Sequence, residues 1–366
     1  MKIETTLEKI KDAVSRAQKI STKNLSLPIL ENVLLVAQGK YLTLRSTNLH
    51  VGVELTLPVK VKTEGEISVK LDVLSQIINS LHGENTVILE VIDNTLHIST
   101  EKSQMDIKLF PHDDFPTLPR VEDGVDITLP IGTLIDGVRS VVYSASLSDI
   151  KPEISSVYLY NENNELVFVS TDSFRLAEKR IVVDTKIDID GLIVPVKNIQ
   201  ECIKVFAGIE GDVEIHLGKN QLSIESENIY FTSRIIDGNY PDYKQIIPNE
   251  SNTDVVVLKD ELIQSLRLIN VFSDNFNQLS VKVDAKKGHL LLHSRNTDVG
   301  ENNTSVDAAV TGSDIEMYLN HKYLSDVLPI LSGDSIQFSF IEKNKPCLVR
   351  SVGDASFLYL IMPMNR

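Results

Sequence analysis

The residues of this chain that could bind a metal or carry out catalysis are few and scattered. Of the eight histidines, His289 and His293 share a spacing of four, but the surrounding sequence predicts a strand, where they would not converge as on a helix. Asp113 and Asp114 could ligate a hard cation, although between prolines they are more typical of a turn. The sequence also lacks a Gly-rich phosphate loop, a nucleophile elbow and a Cys-x-x-Cys pair. We therefore expect no catalytic residue, no metal ion and no cofactor, with an enzyme of unfamiliar type left as an alternative.

Length and composition narrow the class of protein. The chain has 366 residues, of which 42% are apolar and 24% charged, and this length predicts about two to four domains. The two cysteines, Cys202 and Cys347, lack the spacing of a disulfide framework or a zinc site. No stretch approaches the roughly 18 apolar residues of a membrane span, and the N-terminus lacks the apolar core of a signal peptide. These features predict a cytoplasmic protein without a membrane partner.

Two series of motifs repeat along the chain with nearly the same period. The first is a polar break after an apolar strand, and its starts are 124 residues apart: Ser46-Thr47-Asn48, Ser170-Thr171-Asp172 and Ser294-Arg295-Asn296. The second is a short strand and a helix over 67–83, 192–208 and 317–333, whose closing glycines Gly83, Gly208 and Gly333 are 125 residues apart. A glycine in this place is typical of a left-handed helix C-cap. The shared period predicts three diverged copies of one unit.

Each copy contains two amphipathic helical segments separated by short strands. The helical segments are predicted at 7–20, 72–82, 133–145, 197–207, 260–272 and 321–331. About eight strands per copy, with Asx- and Gly-rich breaks between them, indicate antiparallel hairpins. We expect an α+β fold of three repeated domains, each with two helices on one side and antiparallel sheets on the other. Turn-rich joints place the domain boundaries at 1–119, 120–247 and 248–366.

Charge is distributed unevenly between these helices and the rest of the chain. The formal net charge is −15, yet the six helical segments contain nine Lys or Arg and eight Asp or Glu. The remainder therefore has a net charge of −16. Ordinary solvated helix faces would explain any single lysine, but the pattern over six helices favours a surface that faces a polyanion while the rest repels it.

Several short motifs, in their order and spacing, resemble one known family over essentially the whole chain. They are Leu27-Pro28-Ile29-Leu30-Glu31-Asn32, Asp114-Phe115-Pro116, Thr171-Asp172-Ser173-Phe174-Arg175-Leu176-Ala177, Asp237-Gly238-Asn239-Tyr240-Pro241-Asp242-Tyr243 and Met362-Pro363-Met364. The family is the bacterial DNA polymerase III beta subunit, the sliding clamp. The resemblance implies a non-catalytic, ring-forming head-to-tail homodimer that encircles duplex DNA without reading its sequence. It would tether the polymerase III alpha subunit, the clamp loader, other polymerases and repair proteins, which it would bind through short apolar peptide motifs.

The same resemblance assigns candidate residues to three surfaces. The candidates for the DNA channel are Lys11, Arg16, Lys19, Lys23, Arg139, Lys197 and Lys204. The candidates for the peptide-binding pocket are Ile154, Thr171, Ser173, Phe174, Arg175, Leu176, Pro241, Gln245, Ile246, Asn320, Tyr323, Leu360, Met362, Pro363 and Met364. The candidates for the dimer interface are Met105, Val271 and Phe272, for which the core of a single domain is the alternative.

Some positions depart from the family pattern. Ser173-Phe174 stands where Gly-His is common, Gln245 stands where Arg is common, and Asn365-Arg366 stands where the tail often reads Arg or Arg-Leu. These changes leave the apolar pocket intact but put its peptide preference in doubt. A repeat scaffold that binds peptides and never encloses DNA is the main competing interpretation, because it would have the same triplication and the same terminal pocket.

Overall fold

The computed structural model describes residues 1–20, 27–121, 124–183, 189, 191–248 and 250–364. The chain divides into two compact units, each made from two stretches of sequence. Unit 1 contains Met1–Leu134 and Lys197–Asp237, and unit 2 contains Ile135–Val196 and Gly238–Arg366. Among the described residues, no helix is long and apolar enough to cross a membrane.

The α-helices of the described chain form at the six predicted places. They are α1 (Leu7–Ala17), α2 (Leu71–Ser80), α3 (Ile131–Val141), α4 (Val196–Val205), α5 (Lys259–Val271) and α6 (His321–Val327). Several end earlier than predicted. Helix α6 stops before Pro329, because proline lacks an N–H donor and disfavours helical backbone in the preceding residue. Helix α3 continues as a 3₁₀ turn over Val142–Ser144.

The three closing glycines adopt the left-handed backbone that the sequence predicted, but not at the helix ends. Gly83, Gly208 and Gly333 have φ angles of +72°, +77° and +68°. They lie three, three and six residues beyond the last residues of α2, α4 and α6. The prediction of a direct C-cap is therefore wrong. Each glycine instead forms part of the turn between the helix and the next strand.

Twenty-five strands occur in the described part of the chain, and every pairing between them is antiparallel. In chain order they are β1 (Lys2–Thr6), β2 (Asn32–Gln38), β3 (Tyr41–Thr47), β4 (Val51–Pro58), β5 (Lys60–Thr63), β6 (Gly65–Lys70), β7 (Thr86–Ile92), β8 (Thr95–Ser99), β9 (Gln104–Lys108), β10 (Val125–Pro130), β11 (Ser156–Glu162), β12 (Glu165–Thr171), β13 (Arg175–Val182), β14 (Leu192–Pro195), β15 (Asp212–Leu217), β16 (Gln221–Ser226), β17 (Ile229–Arg234), β18 (Thr253–Leu258), β19 (Gln278–Asp284), β20 (His289–Asn296), β21 (Gly300–Gly312), β22 (Ile315–Asn320), β23 (Ser335–Phe340), β24 (Cys347–Ser351) and β25 (Phe357–Ile361). The three copies hold nine, eight and eight strands. The α+β prediction of three repeated units is confirmed.

Unit 1 contains two sheets. The first has the order β5-β1-β7-β8-β9, and the second has the order β10-β15-β16-β17-β4-β3-β2-β6. Alternate residues of β3, such as Leu42 and Leu44, are completely buried, as expected of strands with one face on a core. Helix α1 contributes Ile10 and Val14 to the buried core of the unit. Strand β9 pairs with β8 alone, so its outer edge has no strand partner among the described residues.

Unit 2 contains one twelve-stranded sheet with the order β14-β11-β12-β13-β25-β24-β23-β18-β21-β20-β19-β22. The first part of β21, Gly300 to Asp307, pairs with β20 only, and the rest pairs with β18. On α3, a Cβ atom added to Gly137 would come within 2.3 Å of the Phe168 ring. The helix therefore approaches β12 closely because this position has no side chain.

The repeated polar breaks are the turns of equivalent hairpins. Asn48 Oδ1 accepts backbone N–H bonds from His50 at 3.0 Å and Val51 at 2.8 Å. Asp172 Oδ1 accepts two bonds of 2.9 Å in the same way from the second and third residues after it. Leu49 and Ser173, which follow these Asx residues, have φ angles of +72° and +76°. In the first two copies a shared turn geometry, rather than chemistry, explains this repeated series.

Successive copies are joined edge to edge by a pair of strands. The joint of unit 1 is β4 with β17, and the joint of unit 2 is β13 with β25. Val53 lies opposite Phe231 in the first, and Ala177 lies opposite Tyr359 in the second. Val53 and Ala177 occupy the same place in their hairpins, because they pair with Ser46 and Ser170. The two joints therefore have the same register.

Candidate functional site

Arg175 is at the centre of the predicted peptide-binding residues in unit 2. Its Nε donates to Asp172 Oδ2 at 3.0 Å, and its Nη1 donates to Asp326 Oδ2 at 2.6 Å on α6. Its guanidinium carbon lies 4.5 Å from the centre of the Tyr323 ring. Burial acts to lower the pKa of Arg175, but Tyr359 and the two carboxylates outweigh it and raise that pKa. With its side chain only 11% exposed, Arg175 is a fixed cation that connects β13 to α6.

The segment after β25 is attached to the same region by its backbone. Met362 N donates to Phe174 O at 2.8 Å, and Met364 N donates to Tyr318 O at 2.8 Å. Met362, Pro363 and Met364 are half-buried, whereas the Phe174 side chain is 63% exposed. The structure therefore brings the terminal residues of the prediction next to the hairpin turn that contains Phe174.

An apolar cluster lies under this segment. Its buried members are Tyr160, Val167, Val169, Leu176, Tyr243, Leu348 and Leu360, and the half-buried Tyr158, Tyr240, Ile247, Leu358 and Met362 pack against them. Leu176 and Leu360 lie opposite each other across β13 and β25 and are 0% exposed. These two leucines belong to the buried cluster against which Met362 packs.

The segment from Tyr240 to Ile247 contributes three further predicted residues. Pro241 and Gln245 are exposed, and Ile246 is 44% exposed. The side chain of Gln245 donates to a carboxylate three residues earlier at 2.7 Å. Tyr240 and Tyr243 anchor the segment in the apolar cluster. The segment therefore presents Ile246 to solvent from a fixed backbone.

A buried polar network holds this segment on the sheet. Tyr243 Oη donates to Glu178 Oε2, and Glu178 Oε1 accepts from Arg180 Nε at 2.7 Å. Burial raises the pKa of the Tyr243 hydroxyl, and its bond to Glu178 raises it further. Lys244 Nζ donates to Glu162 Oε1 at 2.6 Å on the neighbouring surface. Because every one of these polar groups has a partner, the network fixes a single position of the segment.

Two predicted residues support the site rather than face a ligand. Thr171 Oγ1 donates to Arg175 O at 2.6 Å and accepts from Ser173 N at 3.1 Å, so it stabilises the hairpin turn. Asn320 Oδ1 accepts from Lys322 N at 2.9 Å and caps helix α6. Both side chains shape the backbone on which the more exposed residues stand.

Ile154 is not brought against the other predicted residues by any contact described in the structure. It is half-buried, and its carbonyl accepts from Ser146 N at 2.9 Å within its own loop. The same loop contains Leu147 and Ile150, which are 94% and 88% exposed. Neither residue was predicted from the sequence, although apolar side chains in a Ser- and Asp-rich loop are a recognisable signal.

The cations proposed for a DNA channel lie on or beside the helices. Lys19, Arg139, Lys197 and Lys204 are exposed, and Lys11 is half-buried. Lys23 lies outside the described residues. Further cations missed by the sequence analysis are Lys259, Arg267 and Lys322, which line an open groove of about 690 Å³ between α5 and α6.

Arg16 differs from the other channel candidates because its guanidinium is already bonded. Its Nε donates to Asp12 Oδ2 at 2.8 Å. Its Nη1 donates to Ala207 O at 3.1 Å and also to Val205 O, at the C-terminal end of α4. A cation at this end of a helix offsets the partial negative charge of the last carbonyl groups. Arg16 therefore contributes mainly to the position of α4.

Glu201 is an acidic residue on α4 with an unusual environment. Burial raises the pKa of its carboxyl group to about 7, against the lowering effects of Asn48 and Lys204. Asn48 Nδ2 donates to Glu201 Oε2 at 3.2 Å. Since the group is partly protonated near neutral pH, it places less negative charge on this helix than its formal count suggests.

The predicted interface residues lie at open edges. Met105 is half-buried on the edge strand β9. Val271 is 60% exposed at the end of α5, and the half-buried Phe272 packs beside Gly300 at the start of β21. Three exposed apolar residues close to them in sequence were not predicted: Leu268, Phe276 and Val299, which are 53%, 74% and 60% exposed.

The residues considered for metal binding have ordinary structural roles. His289 Nδ1 lies 3.2 Å from Asp307, and His293 Nε2 lies 3.7 Å from Glu301, each across β20 and β21. Asp113 and Asp114 lie in a turn. In the described ranges, no three His, Cys, Asp or Glu side chains are grouped so that they could hold a metal ion. Burial also raises the pKa of both cysteine thiols, so they are poor nucleophiles.

Comparison with known proteins accounts for nearly the whole chain. The N-terminal, central and C-terminal domain families of the DNA polymerase III beta subunit match residues 1–119, 128–242 and 244–365. The beta sliding clamp of Streptococcus pneumoniae is 27% identical over 356 residues, covering 94% of each chain. That of Bacillus subtilis is 26% identical over 377 residues and covers both chains completely.

The fold agrees with the family assignment. The crystal structure of the DNA polymerase III beta subunit from Thermotoga maritima superimposes with a TM-score of 0.94 at 24% identity, covering 100% of this chain and 99% of that one. The three matched domain families, the full-length relatives and the described fold agree. The chain belongs to the DNA polymerase III beta subunit family, the bacterial sliding clamps, which are non-catalytic processivity factors of DNA replication.

Proposed function

We propose that two copies of this chain join head to tail into a ring that encircles duplex DNA and tethers the replicative polymerase. The observation that carries this proposal is the pair of unpartnered strand edges, β9 in unit 1 and the first part of β21 in unit 2. Both internal joints consist of antiparallel edge pairs of this kind. An exposed edge is a template for another strand, and the proposed ring would pair these two edges with each other. Domains 1–119, 120–247 and 248–366 would then alternate around the ring.

In this proposal the helices face the DNA. Lys11, Lys19, Lys23, Arg139, Lys197 and Lys204 would contact phosphates, and Arg16 would take part through the position it gives to α4. Weak, salt-sensitive contacts to the backbone suit sliding, because they carry no sequence information. The acidic remainder of the chain would repel DNA and favour its passage along the helices.

A topological test separates this function from ordinary DNA binding. The protein, loaded by its clamp loader, should stay on a nicked circular plasmid in about 0.2–0.3 M salt. It should leave after the plasmid is cut once. Release is expected because a ring can slide off a free end. Gel filtration of the complex before and after cutting measures retention. If the linear plasmid retained as much protein as the circle, the competing interpretation of a peptide-binding scaffold would replace this one.

We also propose that the site in unit 2 binds short apolar peptide segments of the polymerase III alpha subunit, the clamp loader, other polymerases and repair proteins. Leu176 and Leu360 would form the floor, while Phe174, Ile246 and Met362 would surround an apolar anchor of the peptide. Methionine suits this role because its flexible thioether adapts to several partners. We propose a cytoplasmic location and no membrane partner for this function.

A matched pair of variants tests the peptide site. Phe174→Ala and Met362→Ala should each weaken binding of a labelled alpha-subunit tail peptide by about tenfold or more, as expected when a buried anchor loses contact. His50 occupies the equivalent place in the unit 1 hairpin, so His50→Ala is the control and should bind normally. Fluorescence anisotropy gives the dissociation constants. Equal losses in all three variants would point to damage to the fold and not to a local binding site.

A further inference from the structure

The two internal joints differ in the residues that meet at one equivalent pair of positions. In unit 1 this pair is Gly52 opposite Thr232, and in unit 2 it is Leu176 opposite Leu360. All four residues are buried. Neither joint brings charged side chains together at this place.

Each pair is covered by a segment that connects one copy to the next. In unit 1, Leu118 lies so close to Gly52 that an added Cβ would be 2.4 Å from Leu118 Cδ2. In the same segment, Arg120 Nη2 donates to Glu54 Oε1 at 2.7 Å. In unit 2, Tyr243 belongs to the cluster that buries Leu176 and Leu360. Apolar and small residues fit these positions because a connecting segment excludes water from them.

The hairpin registers identify the equivalent residues on the two open edges. Met105 pairs with Ile98, as Phe231 pairs with Ile224 in the second copy. Asn302 pairs with Ser294 in the third copy, as Val53 pairs with Ser46 in the first. The β20–β21 turn is one residue longer than the corresponding turns of the other two copies. Equivalent residues are therefore identified from their strand partners and not from their spacing in the sequence. Carried over to the open edges, the shared register places Met105 opposite Asn302.

The next pair in that register consists of two acids. We propose that the joint between two copies sets Asp106 directly opposite Glu301 of the partner subunit, so that repulsion between the two carboxylates weakens this joint. This inference rests on the head-to-tail dimer proposed above. No connecting segment can cover this pair, since separate molecules meet there. The pair therefore remains hydrated, and like charges directly opposite each other on adjacent strands destabilise the pairing.

The surrounding charges reduce this repulsion without removing it. On the β9 side, His97 Nδ1 lies 2.6 Å from Asp106 Oδ1, and Lys108 is two residues along the same strand. On the β21 side, Arg295 pairs with Glu301, and His293 Nε2 lies 3.7 Å from it. The next strand beyond His97 contributes another acid, Glu90, which is paired with Lys2 at 2.8 Å. Each carboxylate has cations on its own side, yet the side chain opposite it has the same sign.

A charge-exchange cycle tests the proposed contact. Asp106→Lys and Glu301→Lys should each tighten the dimer by roughly tenfold, because each dimer has two joints and each joint exchanges a repulsion for an attraction. The double variant D106K/E301K places two lysines opposite each other and should return the dimer dissociation constant to near that of the unmodified chain. Mass photometry and analytical ultracentrifugation at low salt measure these constants.

A matched control is available in the unit 1 sheet. Asp126 on β10 bonds to His216 Nδ1 at 2.6 Å across two strands, just as Asp106 bonds to His97, but it lies outside both proposed edges. Asp126→Lys should therefore leave the dimer dissociation constant unchanged. If the single variants at 106 and 301 behaved like this control, or if their effects added in the double variant, the proposed pairing would be wrong.

The register can be measured separately from the charge effect. The double variant Met105→Cys/Asn302→Cys should form a disulfide between copies on mild oxidation, since opposite residues of paired strands have Cα atoms about 4.5–5.5 Å apart. The shifted pair Met105→Cys/Val306→Cys should not. A dimer that forms but crosslinks only in the shifted pair would overturn this inference and leave the ring intact. A chain that remains monomeric would overturn the proposed function itself.

Discussion

The joint of unit 1 and the joint of unit 2 have the same backbone and different surroundings. Both pair a strand after an Asx turn with the last strand of the next copy in the same register. In unit 1 the turn contacts the helix through a hydrogen bond from Asn48 to Glu201. In unit 2 the equivalent contact is the ion pair of Arg175 with Asp326. The repeat therefore fixes how the copies join, while side-chain substitutions decide what else each joint can do.

The same contrast applies to the outer face of the two joints. In unit 1, Leu118 packs against Gly52, and both residues line a cavity of about 250 Å³. In unit 2 the corresponding face ends in Ile246, Phe174 and Met362, which are exposed or half-buried. We infer that the unit 2 joint has acquired an exposed apolar surface for partners, whereas the backbone pairing of the two joints is the same.

The largest expected effect comes from the ion pairs that distinguish unit 2. Arg175→Ala should lower the free energy of unfolding by about 3–5 kcal/mol, because it leaves Asp172 and Asp326 partly buried without their cation. The triple variant Arg175→Val/Asp172→Asn/Asp326→Asn approaches the arrangement of unit 1 and should recover much of the loss. Urea denaturation followed by circular dichroism measures the free energy of unfolding of the single and the triple variant. Hydrogen exchange of β13 shows whether the change is local. An Arg175→Ala variant as stable as the unmodified chain would show that the ion pairs are dispensable.

A second effect distinguishes unit 1, where Glu201 occupies the position of Asp326. Glu201 accepts a hydrogen bond from Asn48, whereas Asp326 forms an ion pair with Arg175. The raised pKa of Glu201, about 7, means that the folded chain binds more protons than the unfolded chain between about pH 4.5 and pH 7. The stability from this residue is therefore complete at low pH and is lost as the pH rises through 7. Glu201→Gln should raise the free energy of unfolding by on the order of 1–2 kcal/mol at pH 8 and change little at pH 5.

Thermal unfolding from pH 5 to pH 8.5 measures this difference. Glu210→Gln, an exposed change in the same unit, serves as the control and should shift the stability equally at all pH values. A pH-independent gain in Glu201→Gln would contradict the assignment of the raised pKa to this carboxyl group.

The smallest effect concerns a strain that both joints share. Leu49 and Ser173 have φ angles of +72° and +76°, a region that costs residues other than glycine about 1 kcal/mol or more. Ser173→Gly and Leu49→Gly should each stabilise the chain by about 0.5–1 kcal/mol, less the entropy that glycine loses on folding. Ser173→Ala keeps the Cβ atom and should give no gain. Chemical denaturation resolves the three values, and equal stability of the Gly and Ala variants would argue against strain.

The sequence predicted the three copies, their helices and the fold class because apolar periodicity and turn residues are local signals. The helix ends were predicted less accurately. They depend on single residues such as Pro329 and on the turns before Gly83 and Gly208, which the apolar periodicity does not reveal. Most of the residues predicted for the peptide site lie in unit 2 around Arg175 and the segment after β25, but Ile154 has no described contact with the others. The role of Arg16 could not be read from its charge, because the carbonyl groups it binds lie 189 and 191 residues away.

The close approach of Gly137 to Phe168 has a consequence for how a triplicated chain folds. The equivalent positions of the repeat are Ala13 and Leu44 in the first copy and Ser265 and Leu292 in the third, so the smallest helix residue accompanies the largest strand residue. A first helix from either of the other copies would bring a Cβ atom into the Phe168 ring. Three similar sequences on one chain could otherwise exchange helices during folding. This single difference in volume would exclude the first helix of either other copy from the sheet that contains Phe168.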